Sequence, residues 1–141
     1  MSATNNNTLV QPYLFFNGRC EEAIEFYRHE LRAELKLLMR FKDSPDPAAC
    51  STADPEKIMH ATLSVGQTIV MASDGHTGEA TSFQGFGLSL TLADLAEADR
   101  LFAALSDGGQ VVMPQVKTFY SPRFGMVTDR FGVLWMVYVT Q

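Results

Sequence analysis

Of the three histidines in the chain, His60 alone falls in a segment with strand character. That segment is IMHATLSV at 58–65, where period-two alternation sets His60 on one face with Thr62 and Ser64, opposite Ala61, Leu63 and Val65. An imidazole beside hydroxyls can bind a ligand or move a proton; a partly exposed, hydrogen-bonded strand histidine would keep the same company. A second concentration lies at 113–125, MPQVKTFYSPRFG, which gathers Phe119, Tyr120 and Phe124 with Lys117 and Arg123 beside two prolines. Rings and bases on a loop at a cleft edge suit a planar anionic ligand, through stacking and charge-assisted hydrogen bonds. An edge strand with a dimer contact would use the same residues. The candidates for acid–base chemistry are therefore His60, Tyr120 and Arg123.

The other reactive types are less well placed. His29 precedes Glu30 on the polar side of a predicted helix, and His76 belongs to a connector, DGHTGEATSFQG. Cys20 and Cys50 lie 30 residues apart in unlike contexts, which supports neither a disulfide framework nor a CxxC metal knuckle. A nucleophilic thiol needs an activating base or helix terminus that the sequence does not supply. No GxSxG elbow, P-loop or HExxH is present.

At 141 residues, with 46% apolar and 11% aromatic residues, the chain can bury one good core. One domain is expected. A formal charge of −5 with no basic block gives no footprint for nucleic acid or anionic lipid. The opening MSATNNNTLVQ lacks the regions of a secretory signal, and no apolar run approaches the roughly 18 residues that span a bilayer. The expectation is a soluble, cytoplasmic protein without a membrane partner, with 1–8 a disordered tail.

Two helices must position these side chains. Cys20, Ala23, Ile24, Tyr27 and Leu31 form one helical stripe, with Glu21 and Glu22 at the positive end of the dipole and Asn17 as the expected N-cap. Leu95, Ala98, Leu101, Phe102 and Leu105 form another, with Asp94 and Glu97 as a capping-box pair and Gly108 and Gly109 as the stop. Strands are expected at 10–16, 33–41, 58–65 and 68–73, and again at 86–92, 110–113, 124–128 and 133–139. Gly66 and Gln67 join two of them as a tight hairpin.

Both halves thus read strand, helix, strand, strand, strand, offset by about 75 residues, with Glu22, Ala23 and Phe26 matching Glu97, Ala98 and Leu101. In the last strand Val133, Trp135, Val137 and Val139 face one way and Leu134, Met136 and Tyr138 the other, so it must be covered twice. The segment 42–57 is a 16-residue acidic, proline-rich loop, fitting a lid, an interaction segment or plain disorder alike.

Two βαβββ copies, the aromatic pair Phe26-Tyr27 and the final D-x-x-G turn (Asp129, Gly132) resemble the vicinal oxygen chelate superfamily, which includes glyoxalase I, extradiol dioxygenases and bleomycin-resistance proteins. PYLFFNGRCEEAIEFY, IMHATLSVG and FGMVTDRFGVLWMV are similar to its PhnB-like branch. The resemblance covers about residues 10–140. It implies an α+β fold of two tandem modules (about 10–74 and 86–140, connector 75–85) with curved mixed sheets and helices outside. It also implies a homodimer, and, in the metal-dependent members, a divalent ion held by His and Glu on the first and fourth strands of each module.

Those positions fall near Pro12 to Leu14 and Gly87 to Ser89, and within Ile69 to Ser73 and Leu134 to Met136; none is His, Asp or Glu. Met136 stands where a carboxylate would be expected, and the nearest acids, Asp74 and Asp129, lie at turns. No metal and no other cofactor is expected. PhnB-like domains are sometimes labelled 3-demethylubiquinone 3-methyltransferases, but the doubly wound sheet and Gly-rich turn expected of a methyl-donor site are missing. The expected function is binding of a small aromatic or amphipathic molecule in a cleft lined by Leu14, Phe16, Met71, Ser89, Phe119, Phe124, Met136 and Tyr138. A metal-independent lyase or isomerase of the same fold is the alternative.

Overall fold

A computed structural model of the chain describes residues 7–46, 54–75 and 81–141. The elements run β1 (Tyr13–Phe15), α1 (Cys20–Glu30), β2 (Glu34–Arg40), a 3-10 turn (Phe41–Asp43), β3 (Ile58–Val65) and β4 (Thr68–Ser73). They continue with β5 (Leu88–Leu92), α2 (Leu95–Ser106), β6 (Gln110–Val116), β7 (Phe124–Thr128) and β8 (Leu134–Val139). The chain forms two four-stranded sheets of the same connectivity, ordered β1-β4-β3-β2 and β5-β8-β7-β6. In each, the first strand pairs parallel to the fourth and the remaining pairs are antiparallel. The duplicated element order is therefore a duplicated sheet topology, and the fold is the α+β arrangement expected.

The chain divides into two compact units, residues 1–24 with 32–78, and residues 25–31 with 79–141. The division passes through α1, whose residues 25–30 group with the second unit. In the first unit, Leu14, Ala61, Leu63, Val70 and Ala72 form one sheet face and are buried, as are Cys20, Ala23 and Ile24 of α1. In the second, α2 packs on β7 and β8, burying Leu101, Phe102 and Leu105 with Val127, Trp135 and Val137.

Local chemistry fixes the joints. Gly66 takes φ 57° in the β3–β4 hairpin, and Gly132 takes φ 92° in the turn before β8, where its N–H donates to the Asp129 carbonyl at 2.9 Å. Asp94 caps α2 by accepting from the Ala96 N–H at 2.9 Å, while Glu97 holds Arg100 of the same helix at 2.7 Å.

At the start of α1 the structure departs from the expectation of an Asn17 cap. Asn17 sits in the left-handed region at φ 48°, and the Cys20 N–H donates to Asp74 Oδ1 at 2.8 Å. The capping oxygen comes from the end of β4, 54 residues away. β6 runs on to Val116 through Pro114, which an edge strand tolerates because its missing N–H costs no ladder bond.

Candidate functional site

Each sheet buries one face and leaves the other half-exposed. On the first sheet, the registers Tyr13↔Met71 and Thr62↔Met71 put Tyr13, Met71 and Thr62 side by side on the uncovered face, with Phe15 and His60 on the same side. Leu14, paired with Ala72, points to the covered face and is 2% exposed; Phe16, just past the strand, is 4% exposed. The two cleft residues expected from this segment are thus core, and Tyr13 (38% exposed) and Phe15 (50%) take their place. The run Tyr13-Leu14-Phe15-Phe16 has no polar residue to reveal its phase, so only the pairing with β4 sets which rings emerge.

This face carries a continuous polar line. Tyr13 Oη lies 2.9 Å from His60 Nδ1, and His60 Nε2 lies 3.1 Å from Thr62 Oγ1. Tyr13 also stacks on Phe15, centroids 4.8 Å apart and planes 15° apart, and meets the His60 ring at 5.6 Å. Desolvation, with Cys20 as a smaller influence, raises the Tyr13 phenol above its ordinary range, so it stays a neutral hydroxyl. Met39 pairs with His60 across β2. The sequence showed His60 with Thr62 but gave no sign of Tyr13, which lies 47 residues away.

On the second sheet one register row crosses all the inner pairings: Met113↔Met126, Met126↔Met136 and Ser89↔Met136. Three thioethers and a hydroxyl therefore lie side by side on the uncovered face. Phe124, Tyr138 and Tyr120 form an aromatic group beside them: Tyr120 stacks on Tyr138 at 6.1 Å and meets Phe124 edge-on at 5.7 Å. Tyr138 Oη donates to the Tyr120 carbonyl at 3.1 Å. Phe119 touches only the rim of this group through Tyr120, at 4.9 Å, and is 93% exposed. Arg123 is ion-paired with Asp99, and Ser121 anchors the loop by donating to the Val139 carbonyl at 2.6 Å.

The carboxylates at the turns are structural ties. Asp129, 2% exposed, accepts from the Phe131 and Val133 N–H groups (2.9 and 3.0 Å), from Tyr27 Oη (2.6 Å) and from Trp135 Nε1 (2.9 Å). Asp74 accepts from the N–H groups of Gly18 and Cys20 on Oδ1 and of Ile58 on Oδ2. Asp74 also borders a charged pocket of about 300 Å³ with Glu21, Arg40, Glu56 and Lys57, which sequence reasoning did not foresee.

The charges of that pocket answer one another. Arg40 grips Glu21 through both terminal nitrogens (3.1 and 2.8 Å) and donates to the Glu56 carbonyl, while Lys57 donates to the Gly18 carbonyl. Hydrogen bonding from Arg40 lowers the Glu21 carboxyl below its usual range. His29 is exposed, Cys20 is fully buried, and His76 and Cys50 lie outside the described residues.

The strand positions at which the resemblance would put a divalent ion carry unsuitable donors. In the first unit Tyr13 stands beside Met71, and in the second Ser89 stands beside Met136. A phenol, a primary hydroxyl and two thioethers do not make the carboxylate and imidazole set that such ions require. Among the described residues no three His, Cys, Asp or Glu side chains gather as a metal cluster. Each sheet has a single parallel pair, so no doubly wound nucleotide-binding sheet is present among the described residues either. No described helix is long and apolar enough to cross a membrane.

Known proteins place the chain. It is 46% identical to protein PA1353 from Pseudomonas aeruginosa, whose crystal structure superposes with a TM-score of 0.84 over 96% of this chain and 99% of that one. It is 34% identical to the protein YjdN of Escherichia coli (strain K12), over 94% of this chain and 95% of the relative. A glyoxalase/bleomycin resistance protein/dioxygenase family enzyme from Burkholderia phytofirmans PsJN shares the fold, with a TM-score of 0.61, 11% identity, and coverage of 94% and 96%. Residues 8–138 match the family model described as 3-demethylubiquinone-9 3-methyltransferase. The chain belongs to that family, and its fold is that of the glyoxalase/bleomycin-resistance proteins.

Proposed function

We propose that this chain is a small-molecule-binding protein that works without the divalent ion of its metal-dependent relatives, holding an aromatic or amphipathic ligand against the uncovered sheet faces. One observation carries the reading. The strand residues on the second uncovered face, among them Met113, Met126, Met136, Ser89, Phe124 and Tyr138, include no carboxylate, lysine, arginine or histidine. Recognition there has to come from shape, stacking and sulfur–aromatic contact. Thioethers adapt to irregular partners, which favours a range of related ligands over one rigid fit. Methyl transfer, although it is in the family's description, draws no support from these residues.

The proposal includes a homodimer. Val111, Val112 and Val116 on the edge strand β6 are 43%, 55% and 43% exposed, more apolar surface than an unpaired edge ordinarily shows. Sedimentation velocity should give a mass near twice 15.6 kDa, and a monomer at micromolar concentration removes that part. The ligand reading is tested by a thermal-shift screen of aromatic metabolites and drugs. At a hundredfold excess over Kd a true ligand adds about 2.7 kcal/mol; a broad screen with no stabilised hit rejects the reading.

A second reading, metal-independent lyase or isomerase chemistry, has the Tyr13–His60 hydrogen bond in its favour. A histidine oriented through one ring nitrogen can exchange protons at the other. Turnover of any compound found in the screen, lost in His60→Ala while binding persists, would establish it. Of the other two candidates, Arg123 is held by Asp99 and Tyr120 is packed in the aromatic group.

A further inference from the structure

The uncovered face of the first sheet differs from the second in one respect: it holds a histidine at its middle. His60 has hydroxyls at both ring nitrogens, Tyr13 Oη at 2.9 Å from Nδ1 and Thr62 Oγ1 at 3.1 Å from Nε2. The two nitrogens flank Cε1, so the hydroxyls stand on either side of that ring edge.

Counting protons tells what such a line can recognise. A neutral imidazole has one N–H. It donates to one hydroxyl and must accept from the other, which leaves one of the two hydroxyl protons free. An imidazolium has two N–H groups; it donates to both oxygens and frees both hydroxyl protons to point outward, with a positive charge between them. In the neutral state the line presents a single donor, which suits an uncharged carbonyl. In the protonated state it presents two donors and a charge, which suits an oxyanion with two acceptor oxygens.

The surroundings define the rest of the ligand. Tyr13 and Phe15 are stacked and about half-exposed. Met71 lies beside Tyr13 and Thr62, and Met39 faces His60 from β2. A flat ring set on this aromatic and thioether surface would bring a substituent to the polar line. On the strands facing His60 there is no carboxylate to compete for its proton: β1 offers Tyr13 and β4 offers Met71. The charged residues of β2 are Glu34, ion-paired with Lys36 beside Ser64, and Arg40, ion-paired with Glu21.

We propose that this face is a subsite for an aromatic carboxylate, its ring against Tyr13, Phe15 and Met71 and its carboxylate accepting from the Thr62 hydroxyl, with His60 taking up a proton as the ligand binds. The inference rests on the uncovered-face reading above and sharpens it to a ligand class. It assigns Tyr13 and Thr62 as binding residues and His60 as the group that sets how many donors they show.

Titration calorimetry of the full chain with benzoate and with its neutral isostere benzamide tests this, each in two buffers of different ionisation enthalpy. Benzoate should bind at least tenfold tighter than benzamide and take up a proton, and its affinity should rise as pH falls. His60→Phe should abolish the proton uptake. Thr62→Val, a substitution of like shape on an already half-exposed strand position, should cost benzoate about tenfold while leaving benzamide unchanged. Equal affinity for the two probes, with no proton uptake and no effect of Thr62→Val, overturns the subsite and leaves the uncovered-face reading standing. Failure of both probes, while a compound from the thermal-shift screen stabilises the chain, also overturns the subsite alone; failure of every compound takes the broader reading with it.

Discussion

The Tyr27 hydroxyl lies 2.6 Å from Asp129 Oδ2, joining the middle of α1 to the turn before β8 across 102 residues of sequence. Because Asp129 also accepts from Trp135 Nε1 and from two backbone N–H groups, a single buried carboxylate satisfies four donors. The rings it ties are packed together: Tyr27 meets Trp135 edge-on at 5.7 Å, and Arg130 lies 4.4 Å above the Phe26 ring. Buried donors left without acceptors are expensive.

The first prediction follows from that asymmetry. Tyr27→Phe removes one donor and should cost about 1–2 kcal/mol, whereas Asp129→Ala strands four donors and should cost about 3–5 kcal/mol. Urea titrations followed by tryptophan fluorescence provide the comparison, with a fall in midpoint and an unchanged slope. If the two variants proved equally stable, Asp129 would not be the organising group of the second unit.

How much of this was readable beforehand depends on the range over which each signal acts. The stripes of α1 and α2 and the alternation in β8 report burial locally, and the helices and strands appear where those patterns place them. β1 misled because four consecutive apolar residues, Tyr13 to Phe16, carry no phase. Asp74 and Asp129 looked idle, since their donors come from chain segments up to 56 and 102 residues away. Tyr13 beside His60 was hidden for the same reason. Sequence periodicity says which side of a strand is wet; it says nothing of what stands on the neighbouring strand.

Close packing under α2 gives the second prediction. A Cβ on Gly125 would sit 2.6 Å from Phe102 Cε1 and 2.9 Å from Gln115 Cγ, inside any tolerable contact. Gly125→Ala should destabilise by about 1–3 kcal/mol. Combining it with Phe102→Leu should recover part of the loss, so a double-mutant cycle should show a coupling above about 0.5 kcal/mol. Strict additivity would mean that the clash is relieved elsewhere.

Cys20 yields a prediction in pH. Its thiol is fully buried; desolvation first, then the Asp74 and Glu21 charges, push its pKa well above the ordinary thiol range. The folded state thus holds the proton at pH values where the unfolded thiol has lost it. This contribution to stability is complete below the unfolded pKa and declines as pH rises through and beyond it. Stability should fall between about pH 8 and 10 by more in the parent than in Cys20→Ala, near the ordinary thiol value of about 8.5. Peptide mapping after iodoacetamide should find Cys20 unmodified in the native protein and alkylated in urea; rapid native labelling at pH 8 would contradict the burial argument.

Ser121 controls the aromatic group of the second unit. Its hydroxyl reaches the Val139 carbonyl at 2.6 Å and the Arg123 carbonyl at 2.8 Å, and it accepts from the Arg123 N–H at 3.1 Å. The Val139 N–H in turn donates to the Arg123 carbonyl at 3.0 Å. One buried hydroxyl therefore ties the loop carrying Tyr120 to the end of β8, where Tyr120 stacks on Tyr138. Ser121→Ala leaves the Val139 carbonyl and the Arg123 N–H short of a partner, at a cost of about 1–3 kcal/mol. Its effect should also be local: faster hydrogen exchange at Val139 and at the loop, with α2 protected as in the parent. A ligand held by the Tyr120–Tyr138 pair should lose affinity in Ser121→Ala through faster dissociation, because the stacking surface is no longer organised before binding. An aromatic ligand whose off-rate is indifferent to Ser121 would have to sit elsewhere, on the thioether row or on the first sheet.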